Sequence, residues 1–133
     1  MNYTINYKIT GNFLRAEVSG EYPISKFYEI SEKMDTVIDA NGIEKILVDL
    51  RKFKQRYGIF DGLQRIEKFR EESKLLQFAI LDRIENKENN DFFENASFNR
   101  GYKLLFFYKE AEALSWLNVT DNKVYEKTLQ QSY

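Results

Sequence analysis

The stretch VDLRKFKQRYGIFDGL, Val48 to Leu63, decides how this chain is read. It completes KILVDL, Lys45 to Leu50, a short aliphatic run bounded by charge, as expected of a central strand covered on at least one face. The period then changes: Ile59 or Phe60, Leu63, Ile66 and Phe69 recur at helical spacing. Between strand and helix lie Arg51, Lys52, Lys54 and Arg56, and no Ser or Thr occurs from Asp49 to Glu72. In open α/β sheets ligands gather outside the carboxyl ends of strands, so this joint is where function is to be sought.

Working toward the N-terminus, Tyr3, Ile5, Tyr7 and Ile9 alternate with polar residues, as do Leu14, Ala16 and Val18 after the turn residues Gly11 and Asn12. That pattern predicts an antiparallel hairpin. Pro23 is placed in the first turn of a helix carrying Ile24, Phe27, Ile30, Met34, Val37 and Ile38, with Asn41 and Gly42 as its stop. Toward the C-terminus, LLQFAILD (Leu75 to Asp82) reads as a strand, NKENND as a polar loop, and FFENASFNRG as a helix capped by Asn90 or Asp91 and left at Gly101. YKLLFFYK (Tyr102 to Lys109) is the fifth strand and EAEALSWL the helix after it. Strands alternating with helices imply right-handed crossovers. The expected fold is therefore α/β, a five-stranded mixed sheet with an antiparallel N-terminal hairpin, its remaining strands parallel, and about four helices. Residues 1–117 form the expected domain; residues 118–133 are a tail in which Val124, Tyr125 and Leu129, after an Asp121 cap, have the spacing of a short docked helix.

A chain of 133 residues suits one core. Its aromatic share of 16% supplies ample material for that core and argues against disorder. A net charge of -1 provides no field to collect nucleic acid or a membrane surface. Without Cys or His there is no disulfide framework, thiolate nucleophile, imidazole base or imidazole metal ligand. The N-terminus lacks the apolar run of a signal peptide and no later run has membrane-spanning length, so a cytoplasmic protein is expected.

Alternation sorts the strands into two faces. Ile5, Leu14, Val18, Ile46, Phe78 and Leu104 typify an entirely apolar face, which helices must cover. The opposite face mixes Phe13, Leu47, Ala79, Leu81, Leu105 and Phe107 with Lys8, Arg15, Glu17, Asp49, Gln77 and Lys103. It is too apolar to stay wet. Three covers are open: the tail or remaining helices, a second copy of the chain in a symmetric dimer, or an apolar ligand.

The element order, together with DLRKF at the end of the third strand, NRGYKLLFF and the closing EALSWL, resembles the SpoIIAA-like family, which includes the STAS domains of sulfate transporters and anti-sigma factor antagonists. The likeness spans roughly residues 3–117 and implies a β-α superhelix with strands in nearly sequential order. In antagonist STAS domains the third strand leads to an Asp-Ser pair before a Gly, and phosphorylation of that Ser switches partner binding. Here Asp49 and Leu50 match the strand end, and Phe60-Asp61-Gly62-Leu63 is the nearest counterpart, with Asp61 near the hydroxyl's place. A fixed carboxylate there imitates a phosphorylated state; the plainer reading is an acid complementing a helix N-terminus. The resemblance extends to lipid-transfer domains of the CRAL-TRIO type, in which a sheet floors an apolar pocket.

Asp49, Asp82 and Lys109-Glu110 stand at strand ends, and oxygen ligands of this kind suit magnesium, yet their spacing is not specific and turn-forming Asp is the simpler account. Arg51, Lys52, Lys54 and Arg56 precede a helix whose free amides favour anions; a solvated charged loop explains them equally. Tyr57 is placed to stack on a ring or pack on the helix. No phosphate loop, activated nucleophile or carboxylate pair is present, so no cofactor, metal or catalytic residue is expected. The first reading is a non-catalytic regulatory module that binds another protein through Asp49, Arg51, Lys52, Lys54, Arg56, Tyr57, Asp61 and Asp82. The second is a carrier of a small apolar or anionic molecule, lipid-like or nucleotide. The third, an enzyme, requires Asp49, Asp82 and Lys109 to converge.

Overall fold

β1 (Asn2–Thr10) and β2 (Phe13–Glu21) pair antiparallel around Gly11, whose φ of 60° is left-handed. A computed structural model describes residues 2–23, 26–56, 58–121 and 124–132 of the chain, apart from the side chains of Ile59, Phe60, Gln131 and Ser132. After the hairpin come α1 (Tyr28–Asn41), β3 (Lys45–Phe53), α2 (Ile59–Glu67), β4 (Gln77–Leu81), α3 (Lys87–Asn99), β5 (Lys103–Phe107), α4 (Glu110–Leu117) and β6 (Lys127–Ser132), with single 3-10 turns before β4 and α3. The sheet order is β5-β4-β3-β2-β1-β6. β2 through β5 run parallel to one another and β1 runs against both its neighbours.

The expected hairpin, parallel strands and helical crossovers are present, but the sheet has six strands, not five. The tail supplies the sixth. Instead of a docked helix, Lys127–Ser132 lies antiparallel to β1, with Leu129 opposite Ile5. The outer edge of β1 offers a row of backbone donors and acceptors, whereas a helix of so few residues is marginal on its own, so ladder pairing wins. Two helix starts also differ from expectation. α1 begins at Tyr28, well after Pro23, and Ile24 lies outside the described residues. α3 begins at Lys87, so NKENND falls largely within it, and Asn90 is a buried helical residue that donates to Asp82 rather than a cap.

The apolar face carries the main core. Ile5, Leu14, Val18, Ile46 and Val48 are buried there together with Ile30 and Ile38 of α1. Apolar surface buried in this cluster stabilises the fold by about 25 cal/mol per Å². On the second face, Phe13, Leu47, Ala79 and Leu81 are covered by Ala113 and Leu117 of α4, with Trp116 and Val119 packed alongside. Of the three covers considered for that face, the remaining helix and the start of the tail are the ones observed.

α2 and α3 approach closely at Gly62. A Cβ built there would stand 2.1 Å from the Phe93 ring, so only glycine admits this packing. Gly62→Ala gains helix propensity of about 1 kcal/mol but overpacks a site whose neighbour is a stiff ring. The expected outcome is a net loss of roughly 1–2 kcal/mol in urea unfolding, with the slope unchanged.

Candidate functional site

The strand ends at the joint are knitted together by two Arg-carboxylate forks. At the exit of β3, Asp49 is buried and accepts from Arg51 Nε at 3.0 Å, Arg51 Nη2 at 2.8 Å and the Arg51 backbone N–H at 3.0 Å. At the exit of β4, Asp82 is buried and accepts from Arg56 Nε at 3.1 Å and Arg56 Nη2 at 2.6 Å. Asp82 also accepts from the Arg83 N–H at 2.7 Å, Asn86 Nδ2 at 3.2 Å and Asn90 Nδ2 at 2.9 Å. Arg56 spends its other donors on the carbonyls of Leu50, Phe53 and Gln55, at 2.6–2.8 Å, and so straps the loop after β3 onto β4. Burial pushes the Asp82 carboxyl up, but the hydrogen bonds from Arg56 and Asn90 outweigh it and hold the group below its ordinary range.

A second network crosses the covered face behind these forks. Arg15, on β2, is only 1% exposed. Its Nη2 donates to Glu110 Oε1 at 2.5 Å, its Nη1 to Asp121 Oδ2 at 3.2 Å and its Nε to the Tyr125 hydroxyl at 3.0 Å. Lys8 Nζ donates to the other oxygen of Asp121 at 2.7 Å, and Arg51 reaches Glu110 at 3.7 Å. The charges thus alternate as Lys8, Asp121, Arg15, Glu110, Arg51, Asp49, tying the tail to the β3 exit. Burial lowers the pKa of the Arg15 guanidinium, yet hydrogen bonds to Tyr125 and Glu110 leave it above its ordinary value. Burial likewise raises Asp121, and the hydrogen bond and charge of Lys8, with Arg15, bring it below its ordinary value.

The eight residues singled out from sequence therefore divide. Asp49, Arg51, Arg56 and Asp82 are engaged in the forks. Lys52 and Lys54 are exposed, their side chains 68% and 71%, with long contacts of 3.5 Å to Glu17 and 4.0 Å to Glu21. Asp61 is exposed in the first turn of α2, and Tyr57 lies outside the described residues. Asp49 and Asp82 are held by separate arginines, Lys109 is exposed, and no ion pair joins it to either carboxylate among the described residues. Nor do the described residues contain a group of three acids placed to hold a metal ion. Among the described residues no helix is long and apolar enough to cross a membrane. The roles of Glu110, Asp121 and Tyr125 escaped sequence reasoning; the signal was Arg15, a cation on the sheet face that is too apolar to stay wet.

No family model matches the sequence, and no curated protein matches it. Solved structures do. An anti-sigma factor antagonist from Mycobacterium paratuberculosis superposes with a TM-score of 0.56 at 15% identity, covering 87% of this chain and 94% of that one. An uncharacterised protein of the DUF3478 family with a SpoIIAA-like fold, from Shewanella loihica PV-4, gives a TM-score of 0.53 at 18% identity over 86% of this chain and 93% of its own. The fold is accordingly SpoIIAA-like.

Removing Asp121 leaves Arg15 buried with its charge uncompensated on one side. Asp121→Ala is expected to cost about 3 kcal/mol in chemical unfolding, and the double variant Arg15→Met/Asp121→Ala less than the sum of the singles. Asp82 and Asp121 have depressed folded-state values, so their contribution is complete above the unfolded carboxylate pKa near 4 and is lost as pH falls through the lower folded values. Urea midpoints measured from pH 7 to pH 2 should fall steeply below about pH 4, and Asp82→Asn should be less stable at pH 7 with a shallower acid slope.

Proposed function

We propose that this chain is a non-catalytic regulatory module that works by protein contact, through the edge formed by the β3 exit, the loop that follows and the first turn of α2. The observation that carries this reading is the division of charges at the joint. The carboxylates that chemistry would require are sequestered by Arg51 and Arg56, while Lys52, Lys54 and Asp61 present their charges to solvent at the same end of the sheet. A rim of exposed charges steers and selects a macromolecular partner; it does not assemble a reacting centre.

The likeness in fold to an anti-sigma factor antagonist supports contact as the mode of action. The absence of any Ser or Thr from Asp49 to Glu72 supports a surface that is not switched by Ser or Thr phosphorylation there. Asp61, at the third position of α2, then places a permanent negative charge at the helix N-terminus, where it is electrostatically favoured. Arg56 serves this surface indirectly by fixing the loop that displays Lys54.

The test is affinity capture with the tagged full chain from cells of its own source, followed by titration of the recovered partner. Lys52→Glu/Lys54→Glu and Asp61→Lys should each weaken the complex by about tenfold or more, mainly in association rate and with strong salt dependence, while circular dichroism stays unchanged. Unaltered affinity in both variants would refute contact through this edge.

A further inference from the structure

Two cavities of about 160 Å³ each adjoin beneath α2, between α1, α3 and the apolar face of the sheet. They share Phe27, Leu50, Arg65, Phe69, Ile80 and Leu104 as walls. An apolar hole of roughly 150 Å³ accommodates benzene, so each lobe has room for about one six-carbon group. Both lobes are open to solvent on one side, so together they form a mostly apolar cleft rather than a sealed void.

Three polar atoms in the walls are buried without a hydrogen-bond partner: the Ser97 hydroxyl, Arg65 Nε and Arg70 Nε. Ser97, on α3, is 1% exposed, lines the second lobe, and its hydroxyl makes no hydrogen bond. Arg65, on α2, lines both lobes; its Nε is buried without a hydrogen-bond partner, and no carboxylate lies within ion-pair distance of it among the described residues. Its guanidinium carbon sits 5.9 Å from the centre of the Phe69 ring. The neighbouring Arg70 differs in its terminal nitrogens, which are held by Asp39 at 2.7 Å and by Asp35 at 3.4 Å; Asp35, the one carboxylate in these walls, also feels the charge of Arg65 but lies beyond ion-pair distance of it. An unmade hydrogen bond at a buried donor costs free energy that an incoming acceptor would recover.

We propose that these adjoining cavities bind a compact amphipathic carboxylate, an aliphatic acid of about eight to ten carbons or an aromatic acid of similar bulk, sized from the lobe volumes. The carboxylate accepts from Arg65 and from the Ser97 hydroxyl, and the apolar body lies among Phe69, Ile80 and Leu104. A long-chain lipid would leave most of its chain outside the two lobes, and a neutral molecule offers Arg65 an acceptor without a compensating charge. This site is separate from the contact edge, and either assignment stands without the other. The two share α2, however, on which Arg65 follows Asp61 by one turn.

Calorimetric titration of the full chain with octanoate, octan-1-ol and palmitate tests the assignment. Octanoate should bind saturably at one site, and more tightly than either of the others. Arg65→Gln should weaken octanoate by about tenfold, as loss of a charged hydrogen bond does, and leave octan-1-ol unchanged. Ser31→Leu, which fills the shared space from α1, should abolish binding of octanoate without lowering the melting temperature. Absence of saturable binding by folded wild-type chain at millimolar octanoate, equal affinity of wild type and Arg65→Gln, or tighter non-stoichiometric uptake of palmitate would each overturn it. A failure of Ser31→Leu to fold leaves the Arg65→Gln comparison to decide.

Discussion

A guanidinium buried in the second strand is the constraint from which the C-terminal third of this molecule follows. Arg15 is flanked by β1 and β3 and shielded from water, where a charge lacking partners would cost several kcal/mol. Its partners cannot come from its own hairpin neighbours alone. Glu110 arrives at the start of α4, and Asp121 and Tyr125 arrive with the segment beyond it. Once those three are in place the chain lies along the outer edge of β1, and β6 completes the sheet. Buried ion pairs add little net stability compared with an apolar core, but a mispaired one is heavily penalised. The network therefore acts by excluding other paths for the tail rather than by tightening this one.

The same logic reaches the joint. Arg51 belongs both to the Asp49 fork and, through Glu110, to the Arg15 network, so the conformation of the β3 exit and the placement of the tail share a group. The sheet's two edges differ in character: β6, the polar KTLQQS, is one and β5 the other. β6 covers β1, whereas β5, with the apolar sequence KLLFF, ends the sheet on the other side. There Glu94 of α3 accepts the Phe106 N–H at 2.8 Å, occupying one of the edge donors that would otherwise invite another strand.

Much of this was legible in the sequence, and the reasons differ by element. The hairpin, the four helices and the assignment of Ile5, Leu14, Val18 and Ile46 to one face follow from period alone, since burial of one face enforces alternation. β6 was not legible, because KTLQQS carries a single apolar residue and its stability comes from pairing with β1, a partner more than a hundred residues away. The basic run after β3 misled for a related reason. Charged side chains look alike in sequence whether they face water or a buried acid, and the partner that removes Arg56 from the surface is Asp82, on another strand. Long-range pairing is what local pattern cannot encode. The absence of Ser and Thr at the joint, in contrast, is a fact of sequence that no packing alters.

The claim that Arg15 fixes the tail is tested most directly by hydrogen exchange, followed by mass spectrometry, on wild type and on Arg15→Lys, which keeps the charge but loses the three-way fork. Amides of residues 119–130 should exchange at least about tenfold faster in the variant, through local opening, while those of β3, β4 and α1 keep their protection. Unchanged protection of residues 119–130 in the variant would contradict the account, leaving strand pairing alone as the tail's anchor.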